Sequence, residues 1–449
     1  MKFILTPPRL VVFSFLAAII VGTVCLSLPI ATPKEVSISF IDRLFTVTSA
    51  VCVTGLSVND FSTTFTGFGK AVILILIQIG GLGIMTLSTL FALVIGKKIG
   101  FYGDEVIRRT LNEQDIISVR KLIFFILIIT FFIEGIGAML LYFRWTAITD
   151  WSVFAVVWQS VFHSVSAFCN SGFALFSNNL ESYRADWIVN LIIMGLIIFG
   201  GIGFVVIMDI IGLLSWRKTR KKLSLQSKTA LIMSLILIIA GAACLFIFEF
   251  NNVFKGRPVS EGVLCSFFQS VSSRTAGFNT IPIGNLTSPS LMVLIILMFI
   301  GASPASTGGG IKTVTFYVLL SMIYGMFKDK KRVVIFNRSI SQKSVREAVI
   351  IFFLYLAWVI VFSIILSFIH FMIHGEDAPF LKLMFEVVSA IGTVGLSAGI
   401  TPGLDALSKL CIIITMFIGR IGPLTLVMAI AFKNQKENYV FPEENVMIG

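Results

Sequence analysis

Apolar residues are gathered along this chain into eight long windows, which short polar connectors separate. A helix that crosses a bilayer needs about 20 mostly apolar residues, and each window is long enough. The first window is longer than the apolar core of a signal peptide, so we expect a retained helix there. The windows are residues 9–30, 71–96, 122–143, 187–215, 229–250, 290–327, 348–372 and 404–432. The pattern predicts an all-α integral membrane protein with eight transmembrane helices.

Four of the connectors contain a similar string, in which a Phe precedes a Gly by ten residues and Leu or Phe follows that Gly. The strings are 45–55, 162–172, 267–277 and 385–395, and the third is one residue shorter when its serines are aligned. Two windows separate successive strings, so we expect all four on one side of the membrane, in four parallel repeats. The predicted boundaries are 1–96, 97–215 with a cytoplasmic linker, 216–327, 328–432 and a cytoplasmic tail at 433–449.

Each string is apolar and serine-rich, and its helical part of about ten to thirteen residues is too short to cross the membrane. This suits a re-entrant helix, whose C-terminal end carries partial negative charge and favours a cation. The Gly after it permits unusual backbone angles and carries no side chain, so four such turns can form a ring of carbonyl oxygens. We predict four M1–pore helix–M2 units around a central pore. The alternative is that these glycines only cap helices.

The window at 290–327 is too long for one simple crossing and contains Pro304 and the run Gly308, Gly309 and Gly310. Proline and consecutive glycines interrupt a helix, and the backbone groups that they free need protein or water partners. Because this break follows the third string, we expect it to lie on the cytoplasmic side of the ring and to act as a gate. The alternative is a kinked helix that only packs against its neighbours.

Five charged residues lie in or near the windows, where a charge usually faces a cavity or a partner. Arg420 is expected to hold carbonyl groups of the broken segment or to repel cations from a closed pore, and Lys312 lies at the same depth. For both, the alternative is a side chain that reaches the cytoplasmic interface. Glu134 needs a donor that the sequence does not identify, and Asp209 lies near the cytoplasmic end. Glu386 either attracts cations at the outer mouth or braces its string.

The composition and the charge distribution are typical of a multi-pass membrane protein. The 449 residues are 57% hydrophobic and 13% charged, whereas about a quarter of an average soluble chain is charged. The net charge is +12, and 23 of the 35 Lys and Arg residues lie in alternating connectors. This positive-inside pattern predicts cytoplasmic termini and argues against nucleic-acid binding. The six cysteines form no CxxC pair and no cluster with histidine, so neither a metal site nor a disulfide framework is indicated.

With these four strings and the segment 301–313, which reads Gly-Ala-Ser-Pro-Ala-Ser-Thr-Gly-Gly-Gly-Ile-Lys-Thr, the sequence resembles the Trk/Ktr/HKT superfamily of potassium transporters. It is most similar to the membrane subunit of bacterial Ktr systems, over essentially the whole chain. The resemblance implies a selectivity filter made by three residues of each string, with a K⁺ site there. These residues are Val53, Thr54 and Gly55; Asn170, Ser171 and Gly172; Thr275, Ala276 and Gly277; and Thr393, Val394 and Gly395.

The resemblance also implies what is transported and what binds the chain. K⁺ is the expected transported ion, because relatives with Ser in the first string tend to prefer sodium and this chain has Gly55. Na⁺ is expected as an activating or coupling ion, and no cofactor is expected. The expected partners are a second copy in a homodimer, with 445–449 at its interface, a separate octameric ring of ATP- and ADP-binding subunits, and membrane lipid. The basic segments 217–222 and 328–332 are expected to contact this ring or anionic lipid.

Three other functions remain as alternatives. A sodium-permeable or ion-coupled secondary transporter would show inverted repeats and several mid-membrane charges, which the parallel pattern disfavours. An intramembrane enzyme would need a nucleophile or a ligand set, and His163, one of three histidines, has no such partner in the sequence. A potassium-binding pump subunit would have additional helices. We therefore predict potassium uptake by a multi-pass protein of the plasma membrane that is not an enzyme.

Overall fold

The structure is a computed structural model and describes residues 7–83, 119–214, 222–330 and 332–422. The predicted tail 433–449, the linker after the first predicted repeat and most of the basic segment 217–222 lie outside the described residues. So do the ends of the windows 71–96 and 404–432. The described residues are mainly helical, with short turns and one two-stranded hairpin.

The helices and strands follow one another as a series that ends with a helix after the fourth string. The first part contains α1 (Pro7–Ser27), α2 (Phe40–Val51), α3 (Phe61–Thr64), α4 (Gly67–Gly81), α5 (Val119–Ile148), α6 (Val153–Phe168), α7 (Trp187–Ile202) and α8 (Phe204–Leu214). The second part contains α9 (Leu225–Glu249), α10 (Val259–Ser272), α11 (Ser288–Phe299), α12 (Thr313–Phe327), β1 (Val334–Ile335), β2 (Arg338–Ser339), α13 (Gln342–His374), α14 (Phe380–Ile391) and α15 (Ala406–Ile421).

One order of helices recurs four times in the described residues. A long apolar helix (α1, α5, α9, α13) is followed by a shorter helix (α2, α6, α10, α14) and then by a second apolar helix (α4, α7, α11, α15). A serine precedes several of these helices. Its hydroxyl accepts a hydrogen bond from a backbone N–H of the first turn, which has no partner within the helix. Ser39, Ser152, Ser224 and Ser341 each cap a helix in this way.

Three described helices are long and apolar enough to cross a membrane, namely Ile123–Ile148, Leu225–Glu249 and Gln342–His374. A fourth meets the same test only as a bent pair, α7 and α8, which are bent by 99° at their junction. The window 290–327 is likewise divided, into α11 and α12 with residues 300–312 between them. The division of 187–215 is a difference from the sequence analysis, which treated that window as one uninterrupted helix.

The four shorter helices lie inside the protein, and the long helices surround them. Phe45, Phe162 and Phe385, at the start of three strings, are fully buried. In the third string it is Phe268 that is fully buried, whereas Phe267 is 38% exposed. The third string therefore aligns by its serines, one residue shorter than the others. The long helices expose large apolar side chains on their outer faces, as expected of helices that contact lipid.

The first and last helical groups are in contact, which closes the arrangement. Phe45 of α2 packs in one buried cluster with Ile412 and Met416 of α15. Beside this cluster, Lys409 Nζ forms an ion pair of 2.7 Å with Asp42 Oδ1, and both side chains are largely buried. Residues that are separated by almost the whole chain are therefore held together around a common centre.

Candidate functional site

The four shorter helices end in segments with the same backbone pattern, which we call loop 1 (53–55), loop 2 (170–172), loop 3 (275–277) and loop 4 (393–395). In each loop the first residue has positive φ, the middle residue does not, and the final glycine again has positive φ. A side chain in this region costs about 1–2 kcal/mol, so four repetitions indicate a shared structural requirement. The φ angles of the first residues are 54° at Val53, 59° at Asn170, 79° at Thr275 and 48° at Thr393.

The glycines of the four loops meet in a closed ring. A methyl group added to any of them would collide with the carbonyl oxygen of the middle residue in the next loop. The neighbours are Gly55 with Ser171, Gly172 with Ala276, Gly277 with Val394, and Gly395 with Thr54. The loops therefore follow one another in chain order, and the fourth adjoins the first. Only a residue without a side chain permits both the positive φ and this close approach.

A serine within the last three residues of each short helix supports its loop. The middle residue of each loop donates a backbone hydrogen bond of 2.7–2.8 Å to the carbonyl oxygen of this serine. The serine hydroxyl makes a further bond to the backbone of the same loop. In loops 1 and 4 it accepts from the glycine N–H, and in loops 2 and 3 it donates to the carbonyl of the next residue. The four serines are Ser49, Ser166, Ser272 and Ser389.

Glu386 is buried and braces the segment that follows loop 4. Its Oε1 accepts hydrogen bonds from Ser397 Oγ (2.6 Å) and Ala398 N (3.1 Å), and its Oε2 accepts from Thr401 Oγ1 (2.8 Å). His163 acts similarly after loop 2, because its Nε2 accepts from Leu175 N at 3.3 Å. Both side chains bind the backbone N–H twelve residues later. Of the two roles expected for Glu386, the structure gives it the bracing role.

The segment between α11 and α12, which we call the 300–312 loop, lies directly against loops 3 and 4. A methyl group on Gly308 would collide with Thr275 Oγ1, and one on Gly309 would lie 3.1 Å from Thr393 Cγ2. The glycines of this loop therefore allow its backbone to contact the first residues of loops 3 and 4. Pro304, Ala305 and Ser306 are partly exposed, whereas residues 307–311 are buried.

Arg420 and Lys312 both bind carbonyl groups in this region. The Arg420 guanidinium donates to Thr307 O in the 300–312 loop and to Gly80 O at the end of α4. Lys312 Nζ donates to Gly308 O at 2.6 Å. Arg420 therefore has carbonyl partners in the broken segment, as the sequence analysis expected. The Lys312 side chain bonds to a carbonyl of its own loop, and does not extend to the cytoplasmic interface, which was the alternative position considered for it. Because carbonyl oxygens are acceptors only, the two cations supply donors to buried carbonyl groups of the loop.

Two further charged residues have partners that only the structure identifies. Glu134 is 4% exposed, and its Oε2 accepts from Gln78 Nε2 of α4 at 3.0 Å. Asp209 Oδ2 accepts from Ser224 N (3.1 Å) and Ser227 Oγ (2.6 Å), which links α8 to the start of α9. The sequence analysis found no donor for Glu134, because Gln78 lies 56 residues earlier in the chain.

Sequence reasoning did not identify three features of this site. Thr307 is at the centre of the contacts of the 300–312 loop, the α7–α8 bend adjoins that loop, and Asn170 bonds with Thr275 Oγ1 across two loops at 3.2 Å. The glycines of the bend, in Gly200-Gly201-Ile202-Gly203, were a visible signal for the second feature. Within the described residues, no group of three or more His, Cys, Asp or Glu side chains is placed to hold a metal ion.

Both sequence and structure comparisons find cation transport proteins similar to this chain. The family model TrkH, described as a cation transport protein, matches residues 10–440. The Ktr system potassium uptake protein B of Bacillus subtilis is 40% identical over 99% of this chain and 97% of its own length. The potassium/sodium uptake protein NtpJ of Enterococcus hirae is 38% identical over 99% of this chain and 98% of its own. The crystal structure of the potassium transporter TrkH from Vibrio parahaemolyticus has a TM-score of 0.70 at 18% identity, covering 96% of this chain and 86% of that one.

Proposed function

The chain belongs to the TrkH family of cation transport proteins, and we propose that it takes up potassium ions across the cell membrane. Relatives that share nearly its full length are named as potassium uptake proteins, and the described helices are those of a multi-pass membrane protein. These relatives are transporters and not enzymes. We place both termini on the cytoplasmic side, because the basic connectors alternate along the chain.

The closed ring of the four loops is the observation that carries this proposal. The four loops act as the selectivity filter, and the groups α1–α4, α5–α8, α9–α12 and α13–α15 act as four repeats around the pore. Backbone carbonyls of the loops replace the hydration shell of the ion as it passes. The short helices point their C-terminal ends at the loops, where their partial negative charge favours a cation.

The four loops differ in sequence, and this difference bears on how strictly the filter selects K⁺ over Na⁺. The first positions are Val53, Asn170, Thr275 and Thr393, so the ring at that level combines one apolar side chain with three polar ones. Sodium permeation, or coupling of potassium to sodium, is therefore the second candidate function. The name of the Enterococcus hirae relative, a potassium/sodium uptake protein, favours it. Potassium remains the primary proposal, because all four loops have the glycine.

Flux through the purified protein in liposomes tests the proposed function. We expect K⁺ uptake about tenfold above Na⁺ uptake, which corresponds to about 1.4 kcal/mol of differential ion stabilisation in the filter. The measurement compares K⁺ and Na⁺ gradients of equal size, with protein-free liposomes as the control. Equal rates for the two ions would favour the sodium-permeable alternative, and no flux of either ion would contradict the pore.

The 300–312 loop is proposed to be the gate, with Gly308, Gly309, Gly310, Lys312 and Arg420 as its working residues. It lies across the first residues of loops 3 and 4, so a cation that leaves the filter meets this loop. Its three glycines allow both the close contact and a change of backbone conformation. The two cationic side chains fix it in place through its carbonyl groups.

We further propose that a separate cytoplasmic protein controls this gate. Several relatives are named as components of a Ktr system, which implies other subunits. A gate responds to an effector only through different affinities for its two states, and the connectors of this chain are too short for an effector domain. An octameric ring that binds ATP and ADP, contacting a homodimer of this chain through the basic segments 217–222 and 328–332, fits these requirements. Anionic lipid is a second partner for those segments.

Co-purification with a candidate ring protein tests this partner. We expect a stable complex whose K⁺ flux differs about tenfold between ATP and ADP, a difference that needs about 1.4 kcal/mol of coupling. A ring protein that does not bind the chain, together with nucleotide-insensitive flux, would contradict the regulated complex and leave the pore proposal intact.

A further inference from the structure

The bend between α7 and α8 is a sharp turn of the chain inside the protein. Gly203 has φ of 93° at this point, and α8 leaves α7 at 99°. The last carbonyl groups of α7 and the first N–H groups of α8 have no partner within their own helices. At membrane depth such groups need partners from the protein or from a water-filled cavity.

The 300–312 loop supplies these partners. Three backbone hydrogen bonds join the loop to the bend, two donated by the loop and one accepted by it. They run from Ser303 N to Gly201 O (3.0 Å), from Thr307 N to Gly200 O (3.2 Å) and from Phe204 N to Ala305 O (2.9 Å). A movement of the loop away from this position breaks all three bonds and leaves both helix ends without partners.

Thr307 is the residue of the loop that is held from several sides. Its N–H donates to Gly200 O, and its hydroxyl donates to Phe168 O at 3.3 Å. Its carbonyl accepts from Arg420. Two of these three bonds come from the second helical group, because Phe168 ends α6 and Gly200 lies in α7. Phe168 is also two residues before Asn170, so the hydroxyl of Thr307 links the loop to the base of loop 2.

Glycine is required where the bend contacts the loop. A methyl group on Gly200 would collide with Phe168 O and lie 3.0 Å from Thr307 Oγ1, and one on Gly203 would collide with Pro304 O. A methyl group on Gly195, one and a half turns earlier in α7, would have no neighbour within 4 Å. Close contacts with α6 and with the loop, together with the positive φ of Gly203, therefore determine that Gly200 and Gly203 cannot be replaced, whereas Gly195 can be.

We propose that the α7–α8 bend is the second half of the gate, and that it latches the 300–312 loop through Thr307. Thr307 is a positioning residue that keeps the loop across the filter exit, and α8 is the arm through which a cytoplasmic movement reaches the latch. The N-terminal end of α8 bonds to the loop through Phe204, and Asp209 ties the same helix to the start of α9. This inference rests on the proposed function, because it assigns a role within the same gate.

The hydroxyl of Thr307 gives a direct test. Thr307→Val removes the hydrogen bond from the Thr307 hydroxyl to Phe168 O with little change in side-chain volume. We expect basal K⁺ flux in liposomes to rise about fivefold. The loss of one neutral hydrogen bond shifts the equilibrium between the closed and open gate by about that factor. Thr307→Ser keeps the hydroxyl and is expected to restore wild-type flux. The matched control is Thr23→Val, which removes the hydroxyl hydrogen bond of a buried threonine inside α1, from Thr23 Oγ1 to Ile19 O.

A second pair of variants tests the bend itself. Gly203→Ala is expected to raise flux in the same direction, and Gly195→Ala, in the helix that precedes the bend, is its control. All variants are compared at equal amounts of protein that elutes as the wild type does in size exclusion. The latch is overturned if Thr307→Val and Gly203→Ala conduct K⁺ at the rates of Thr23→Val and Gly195→Ala.

Combination with Arg420→Ala separates a latch from a general loss of stability. Arg420 and the bend hold the same residue, so Thr307→Val is expected to add less than twofold to the flux of Arg420→Ala. If the fold-increases in flux of Thr307→Val and Arg420→Ala multiply in the double variant, the two residues do not share a latch. If the wild-type protein conducts K⁺ and Arg420→Ala raises its flux, the proposed function holds, and unchanged flux in Thr307→Val then rejects the latch alone.

Discussion

Serine in place of Gly55 is expected to reduce the discrimination of K⁺ over Na⁺ by about tenfold, and to reduce growth of a potassium-uptake-deficient host on limiting potassium. The added side chain would collide with the carbonyl oxygen of Ser171 and would stand at φ of 90°, where a non-glycine residue costs about 1–2 kcal/mol. Loop 1 and loop 2 must both move, so the carbonyl ring loses its geometry. Gly172, Gly277 and Gly395 occupy the same position in the ring, and serine there is expected to act in the same direction.

Two control variants separate collision from backbone strain. Gly399 has φ of 91° but open space around it, so Gly399→Ser tests the strain alone. Gly403, eight residues after loop 4, has neither positive φ nor a neighbour within 4 Å. Gly403→Ser therefore tests the effect of an added serine without strain or collision. Both are expected to retain the wild-type preference for K⁺. If all four ring glycines accept serine and even aspartate without change in growth, the assignment of the filter is wrong.

Deletion of residues 305–310 is expected to raise K⁺ flux by about tenfold or more. The deletion removes the glycines that lie against Thr275 and Thr393, and it leaves the sequence of loops 1 to 4 intact. It also removes Thr307 and with it the bonds to α6, α7 and Arg420. The measurement is K⁺ uptake by liposomes that contain equal amounts of folded protein. Unchanged or abolished flux in a well-folded deletion variant would contradict a gating role.

Arg420→Ala is expected to act in the same direction, by about tenfold, because a hydrogen bond to a charged group contributes about 1.5–3 kcal/mol. Arg420→Lys separates the two roles that the sequence suggested. Lysine keeps the charge, but its single ammonium group cannot reproduce the planar fork that joins Thr307 O and Gly80 O. If Arg420 acts by holding the loop, both variants raise flux. If it acts by repelling cations from the pore, Arg420→Lys keeps the wild-type rate.

The positions of loops 1 to 4 and of the break in 290–327 were predictable from the sequence. A bilayer imposes a length of about 20 apolar residues on each crossing, and it leaves backbone groups without water partners, so interruptions must be marked by residues that tolerate them. Gly55, Gly172, Gly277 and Gly395 were visible for this reason, and so were Pro304 and the three glycines after it. These signals are local, because they depend on the conformation of the residue itself.

The break of 187–215 was not predicted, although its glycines were visible. Apolar content remains high through Gly200, Gly201 and Gly203, and hydropathy does not distinguish a straight helix from a bent pair. Glycine in an apolar helix often allows a neighbouring helix to pack closely against it. The glycines of this window therefore did not distinguish a straight helix from a bent one. The partners that the bend needs come from residues about a hundred positions later in the chain, as in the bond from Phe204 N to Ala305 O.

The sequence by itself determined the membrane class, the four strings and the residues at which the backbone must turn. Only the tertiary structure decided which loop adjoins which, what Arg420 and Glu134 bind, and that Thr307 is held by two helical groups. The reason is the distance along the chain. Local conformation follows from each residue and its neighbours, whereas the partners of Arg420 lie 113 and 340 residues away and that of Glu134 lies 56 away. Such pairs form only after the helices have packed against one another.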